Sequence, residues 1–170
     1  MMKRTDYTDL DNVDALALVL SDRDGRKREE TRAALVAIGE PIILVLTGLI
    51  TNPNHHVRWE AAKALGEINH PDAAPALVVA LGDSETDIRW LGGEGLLGLG
   101  HAAIEPLLRE LAEHGCDVQL RQGAHHVVRE LVRAGRHSYL APLLDALDGP
   151  AAADTVPPTA LNALEIADKG

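Results

Sequence analysis

The residue types in this chain that could do chemistry are eight histidines, one cysteine and a short glycine-rich string, and their spacing limits each of them. His55-His56 and His125-His126 are adjacent pairs. Neighbours on a helix point about 100° apart, which keeps two imidazoles off a single ion. His70 and His101 occupy equivalent positions one repeat apart, too distant for the ~2 Å bonds of one metal. With no H-x-x-x-H or C-x-x-C pair present, neither a metal nor a cofactor is expected. Cys116 follows His114 and Gly115, but Asp117 beside it would hold a thiol protonated rather than activate it. Gly93-Glu94-Gly95-Leu96-Leu97-Gly98 satisfies G-x-G-x-x-G. A dinucleotide site needs a strand ahead of that string, so that the pyrophosphate meets a helix N-terminus; here the string lies inside a helical pattern. Its glycines each cost about 1 kcal/mol against alanine in a helix, so they imply close helix packing or the approach of a ligand. No catalytic residue is expected.

The elements that must position these residues are helices. Phe is absent and aromatics are 2% of the chain, so leucine and alanine have to build the core. That suits closely packed helices and not a β-sandwich. A single cysteine excludes an intrachain disulfide. The basic start, MMKRTDYTDLDN, lacks the apolar stretch of a secretory signal, and no apolar run is long enough to span a bilayer. The expectation is a cytoplasmic protein without membrane contact. The formal net charge of −10 opposes nonspecific binding to phosphate backbones, so no nucleic-acid partner is expected either.

The chain repeats itself. VRWEAAKALGEI (Val57 to Ile68) returns as IRWLGGEGLLGL (Ile88 to Leu99) and as LRQGAHHVVREL (Leu120 to Leu131), and KREETRAALVAI (Lys27 to Ile38) precedes it. Arg28, Arg58, Arg89 and Arg121 fill one slot in all four copies. Between the copies run segments opening on Pro41, Pro75, Pro106 and Pro142, as suits a first helical turn, where the missing N–H costs nothing. Each unit is therefore a pair of antiparallel helices, and pairs must stack to bury their apolar faces. The repeats fall near residues 8–38, 40–68, 71–99, 101–134 and 137–168 of one domain spanning 1–170. Asn12 to Leu20 forms the first helix. A Pro/Ala-rich loop from Gly149 to Pro158 precedes a short last helix, Thr159 to Ala167.

The string V-R-W-E-A-A-K-A-L-G-E-I resembles the HEAT-like repeat of phycobilisome-lyase proteins and their relatives, closely in the second and third copies and loosely at the ends. The resemblance implies an all-α fold, a right-handed α-α superhelix (HEAT-like solenoid) of about five two-helix repeats, with the second helix of each pair on the concave side. Deoxyhypusine hydroxylases resemble it too, and their di-iron ligands are implied to be His-Glu pairs. The corresponding pairs here read Glu29-Glu30, Trp59-Glu60, Trp90-Leu91 and Gln122-Gly123, so the ligands of that activity are missing.

A helical wheel places Val57, Ala61, Ala64, Leu65 and Ile68 inward, with Trp59, Ala62, Lys63 and Gly66 outward. The matching outward positions are Glu29, Arg32, Ala33 and Val36; Trp90, Gly93, Glu94 and Leu97; and Gln122, His125, His126 and Arg129. Solvent-facing tryptophans among polar residues are common interface anchors; equally, each indole could fill a groove beside a neighbouring helix. The expected binding face comprises Arg32, Trp59, Lys63, Trp90, Leu97, Gln122, His125 and Arg129. The four aligned arginines are expected to form a structural ladder with acids such as Asp83 or Asp87. The function these residues favour is a non-catalytic protein-interaction or scaffold module with a protein partner. The alternatives are a phycobilin-lyase-like ligand-binding protein or a deoxyhypusine-hydroxylase-like oxidoreductase lacking its His-Glu ligands.

Overall fold

The computed structural model describes residues 13–135 and 137–167. Short and long helices alternate along the chain: α1 (Val13–Leu20), α2 (Gly25–Ile38), α3 (Ile43–Leu49), α4 (His55–Ile68), α5 (Ala74–Leu81), α6 (Thr86–Leu99), α7 (Ile104–His114), α8 (Val118–Arg133), α9 (Ala141–Asp148) and α10 (Ala152–Ala167). There is no strand among the described residues. Val13 begins the first described helix, and Asn12 lies outside the described residues. The long helices α2, α4, α6 and α8 lie side by side, each packed on the next, and the short helices α1, α3, α5 and α7 back them as a second layer. This is an α-α solenoid.

Local sequence starts and stops these helices. Asp24, Asn54 and Asp117 cap α2, α4 and α8 by accepting the backbone N–H of Arg26, His56 and Leu120. Asn69 ends α4 in the left-handed region at φ 51°, a conformation asparagine tolerates better than most residues. Pro75 and Pro142 sit in the first turns of α5 and α9, and Pro41 in the 3₁₀ turn ahead of α3.

The core between the layers is leucine, isoleucine, valine and alanine, including Leu16, Leu35, Leu46, Leu65, Leu77, Leu96 and Val127. Its tightness depends on small residues of the long helices, above all Gly92 and Gly123. A Cβ on Gly92 would stand 2.8 Å from the Leu77 carbonyl oxygen, and one on Gly123 would stand 2.7 Å from that of Leu81. The α5 backbone thus lies directly against α6 and α8, an approach that only the smallest side chains permit. The glycines of α6 therefore serve close packing. Ala62 and Gly93, expected to face outward, are buried. A wheel drawn for one helix assigns a single buried side, whereas a helix inside a row is covered by two neighbours as well as by the layer behind it.

The end of the chain departs from the expected pattern. The residues read as a loop from Gly149 onward are helical from Ala152, and α10 carries Pro157 and Pro158 in its interior. Proline there removes two intrahelical hydrogen bonds and costs about 3 kcal/mol or more. Burial of Val156, Ala160, Ala163 and Leu164 offsets that loss. α10 does not extend the row beside α8; it packs on α7 and α9.

Two adjacent glycines of α6 should respond to alanine with opposite signs. Gly92→Ala gains helix propensity but must push against the α5 backbone, and should lower stability by about 1–3 kcal/mol. Gly93→Ala meets only ordinary contacts, the nearest being Val127 Cγ2 at 3.5 Å, and should raise stability by up to about 1 kcal/mol. Urea midpoints of the two variants check both signs.

Candidate interaction surface

Each of the four aligned arginines reaches back to the turn ahead of its own helix. Nη1 of Arg28, Arg58, Arg89 and Arg121 donates to the carbonyl oxygen six residues earlier, that of Asp22 (2.7 Å), Asn52 (2.9 Å), Asp83 (2.7 Å) and Gly115 (2.8 Å). In the first three turns the same residue's side chain accepts the N–H two positions on, from Asp24, Asn54 and Glu85. The result is an Asx turn clasped by a guanidinium. Its trace in the sequence is an Asp or Asn six residues before each of three arginines, a signal the repeat alignment passes over. The fourth turn has Gly115 there instead.

Acids join this system only in part. Arg58 forms a bidentate pair with Asp83 of the next repeat, at 2.6 and 3.0 Å. Arg28 donates to Glu60, also one repeat on, at 3.2 Å. Arg89 and Arg121 bond to carbonyls without an acid, and Asp87 instead accepts the N–H of Ile88. The expected Arg–acid ladder is therefore confined to the first two arginines, and the recurring contact is with backbone. Burial pushes the Asp83 carboxyl up, but its hydrogen bonds from Arg58 and the Glu85 N–H more than offset this and hold it below the usual aspartate range. The same bond raises the pKa of Arg58.

Glu60, the one buried charge among the described residues and not singled out in the sequence, is 3% exposed. It accepts Arg28 Nε and, at 2.7 Å, Arg32 Nη1, so one carboxylate of α4 holds two cations of α2. Arg32, expected on the binding face, is thus mostly enclosed, and its guanidinium also stands 5.6 Å from the Trp59 ring centroid. Trp59 packs against the core beneath it. Trp90, its counterpart in the next repeat, is 57% exposed. Sequence position gives the reason. The residue standing to Trp90 as Arg32 stands to Trp59 is Ala62, whose methyl group cannot cover an indole.

The expected face therefore divides. Trp90, Gln122 and Arg129 are exposed; Lys63 pairs with Glu67 at 3.6 Å; and Leu97 is partly buried against the core. His125 contacts Asp148 at 2.7 Å. Arg129 reaches His126 Nδ1 at 3.2 Å, and His126 Nε2 contacts Glu94 at 3.3 Å. A groove of about 200 Å³ between α4 and α6 is lined by Lys63, Gly66, Glu67, Trp90 and Glu94. A second, of about 240 Å³ between α6 and α8, is lined by Thr86, Trp90, Gly93, Gln122 and His126. Trp90 is the wall between them. The open floors come from Gly66, Gly93, Gly95 and Gly123, so the glycines that tighten the stack also hollow its surface.

The metal question has a more detailed answer than the sequence suggested. His101 stacks on His137 with centroids 5.7 Å apart, while His55 and His56 touch at 4.0 Å. Glu40, His70 and Asp72 bring donor atoms within 4.8 Å of one another. His70 Nδ1 already accepts the Asp72 N–H, however, and the two carboxylates are exposed. Structural sites close around an ion with four donors. This surface cluster offers three, one of them partly engaged.

Two predictions follow from the charged contacts. Glu60→Ala strands two arginines and should cost about 3 kcal/mol, with Trp59 fluorescence shifting red as Arg32 is released. Because the folded pKa of Asp83 is depressed, its contribution is complete above its unfolded value near 4 and is lost as pH falls through the folded value. Asp83→Asn should therefore flatten the acid limb of a stability-versus-pH curve, measured by urea unfolding between about pH 2 and 6.

Residues 13–96 match the family model described as HEAT repeats. No curated protein matches the chain significantly. Two engineered proteins with crystal structures from the Northeast Structural Genomics Consortium are similar to it. One is 20% identical with a TM-score of 0.40, over 93% of this chain and 48% of that one. The other is 18% identical with a TM-score of 0.40, over 98% of this chain and 87% of that one. The chain thus spans about half the length of the first. The matched residues run from α1 into α6, the stretch that holds three of the four clasped arginines and Glu60, and over that stretch the chain is similar to HEAT repeats.

Proposed function

We propose that this chain is a non-catalytic module that binds a protein segment across α4, α6 and α8, with Trp90 as the anchor. The observation that carries this reading is a tryptophan 57% exposed on the central helix of the row, with a groove on either side of it. HEAT repeats generally mediate protein–protein contacts, which supports the same reading. Exposed indoles have large contact area and little rotamer freedom to lose, and so dominate many interfaces.

Size argues for side chains of a peptide over a compact ligand. Small-molecule pockets usually span about 300–1,000 Å³, and each groove beside Trp90 falls below that range. A tetrapyrrole-holding role draws little support from hollows of this size. Larger depressions of about 440 and 500 Å³ lie on the short-helix layer, but proline, valine and acidic residues line them without an aromatic anchor. The mixed charges around Trp90, with Lys63 and Arg129 near Glu67 and Glu94, fit a polar segment that places one apolar or cationic side chain against the indole.

A photo-crosslinking residue at Gln122, beside the anchor, should form adducts with a defined partner in native lysate. Trp90→Ala should remove those adducts while leaving the thermal midpoint unchanged. Equal adduct yield after Trp90→Ala, or the same adducts from a crosslinker at exposed Leu44 on the other layer, would contradict the proposal.

A further inference from the structure

One place is filled between α2 and α4 and left open between α4 and α6. Arg32 of α2 holds its guanidinium 5.6 Å from the Trp59 ring centroid on α4 and donates to Glu60 at 2.7 Å. In the next pair of long helices the repeat alignment puts Trp90 where Trp59 stands, Ala62 where Arg32 stands and Gly66 where Val36 stands. Two side chains of the preceding helix are thus cut back to a methyl group and a hydrogen. The space they give up is the groove of about 200 Å³ against Trp90.

The charges change with it. Leu91 replaces Glu60 in the lining, and Glu94 replaces Lys63 one turn beyond the tryptophan. The first interface covers its indole with a cation from its own chain; the second offers an indole, an apolar floor and a carboxylate. Glu67 is shared by Arg32 at 3.5 Å and Lys63 at 3.6 Å, whereas Glu94 meets the His126 imidazole at 3.3 Å. An apolar side chain placed here would take Glu94 out of water with no cation in return. A guanidinium stacks on the indole, pairs with the carboxylate and lays its aliphatic stem along Leu91, Gly66 and Gly95. The groove on the other side of Trp90 suits a cation less, because Arg89, Gln122 and His126 line it and no carboxylate does.

We infer that the groove between α4 and α6 receives an arginine side chain of the bound protein segment, seated between Trp90 and Glu94 as Arg32 is seated on Trp59. This rests on Trp90 being the anchor proposed above, and it names what the anchor holds.

The probe is a capped Gly-Arg-Gly peptide, titrated at millimolar concentration into the full chain. The two indole N–H signals are followed by proton–nitrogen correlation and assigned through Trp90→Phe. The Trp90 signal should move to saturation, while that of Trp59, already under Arg32, stays in place. The citrulline counterpart keeps the shape and loses the charge, and should bind at least about fivefold more weakly. Glu94→Gln should weaken the arginine peptide by about the same factor. A still Trp90 signal, an equal response to the citrulline or leucine peptide, or a response indifferent to Glu94→Gln would each overturn the inference. None of these touches the crosslinking at Gln122, which reports any segment held by Trp90 whatever its side chain. Adducts that survive Trp90→Ala would count against the anchor itself.

Discussion

The structure depends on a guanidinium closing the turn that precedes its own helix. Four long helices begin after such a turn, and in each an arginine one turn into the helix donates to the carbonyl six residues back. A carbonyl in a tight turn between two helices has no secondary-structure partner, and leaving it unpaired beside a core would cost about 1–3 kcal/mol. Satisfying it from the helix itself fixes the angle at which the chain enters the row. Repetition of one angle makes a stack of helix pairs into a solenoid instead of a bundle.

Close stacking then requires small residues, and small residues leave hollows. Gly92 and Gly123 admit the α5 backbone from one side, while Gly66, Gly93 and Gly95 leave the opposite surface grooved around Trp90. The helix-propensity cost of these glycines therefore has two returns, a dense core and a contoured face. Charge is used sparingly in this arrangement. Glu60 and Asp83 each tie one repeat to the previous one, and both sit toward the N-terminal half.

Much of this was legible in the residues. The recurrence of Val-Arg-Trp and of prolines at helix starts set the period, the helix pairing and the all-α class, because both are local signals with one structural meaning. Three features were not. α10 forms through Pro157 and Pro158 because burial against α7 and α9 outweighs a local penalty, and a distant partner leaves no local trace. Ala62 and Gly93 were placed outward because a single-helix wheel has no knowledge of flanking helices. The two tryptophans read alike, yet Trp59 lies under Arg32 and Trp90 faces solvent; the difference lies in the preceding repeat, where Ala62 stands at the position that Arg32 fills for Trp59.

Native-state hydrogen exchange of Arg89→Ala tests the clasp most directly, because Arg89 has no acidic partner to confuse the result. If the clasp sets the stacking angle, amides should exchange faster throughout α6 and on the faces of α4 and α8 packed against it. Acceleration confined to residues 82–89, with α4 and α8 as protected as before, would show that the arginine merely tidies a turn and that the stack is set by something else.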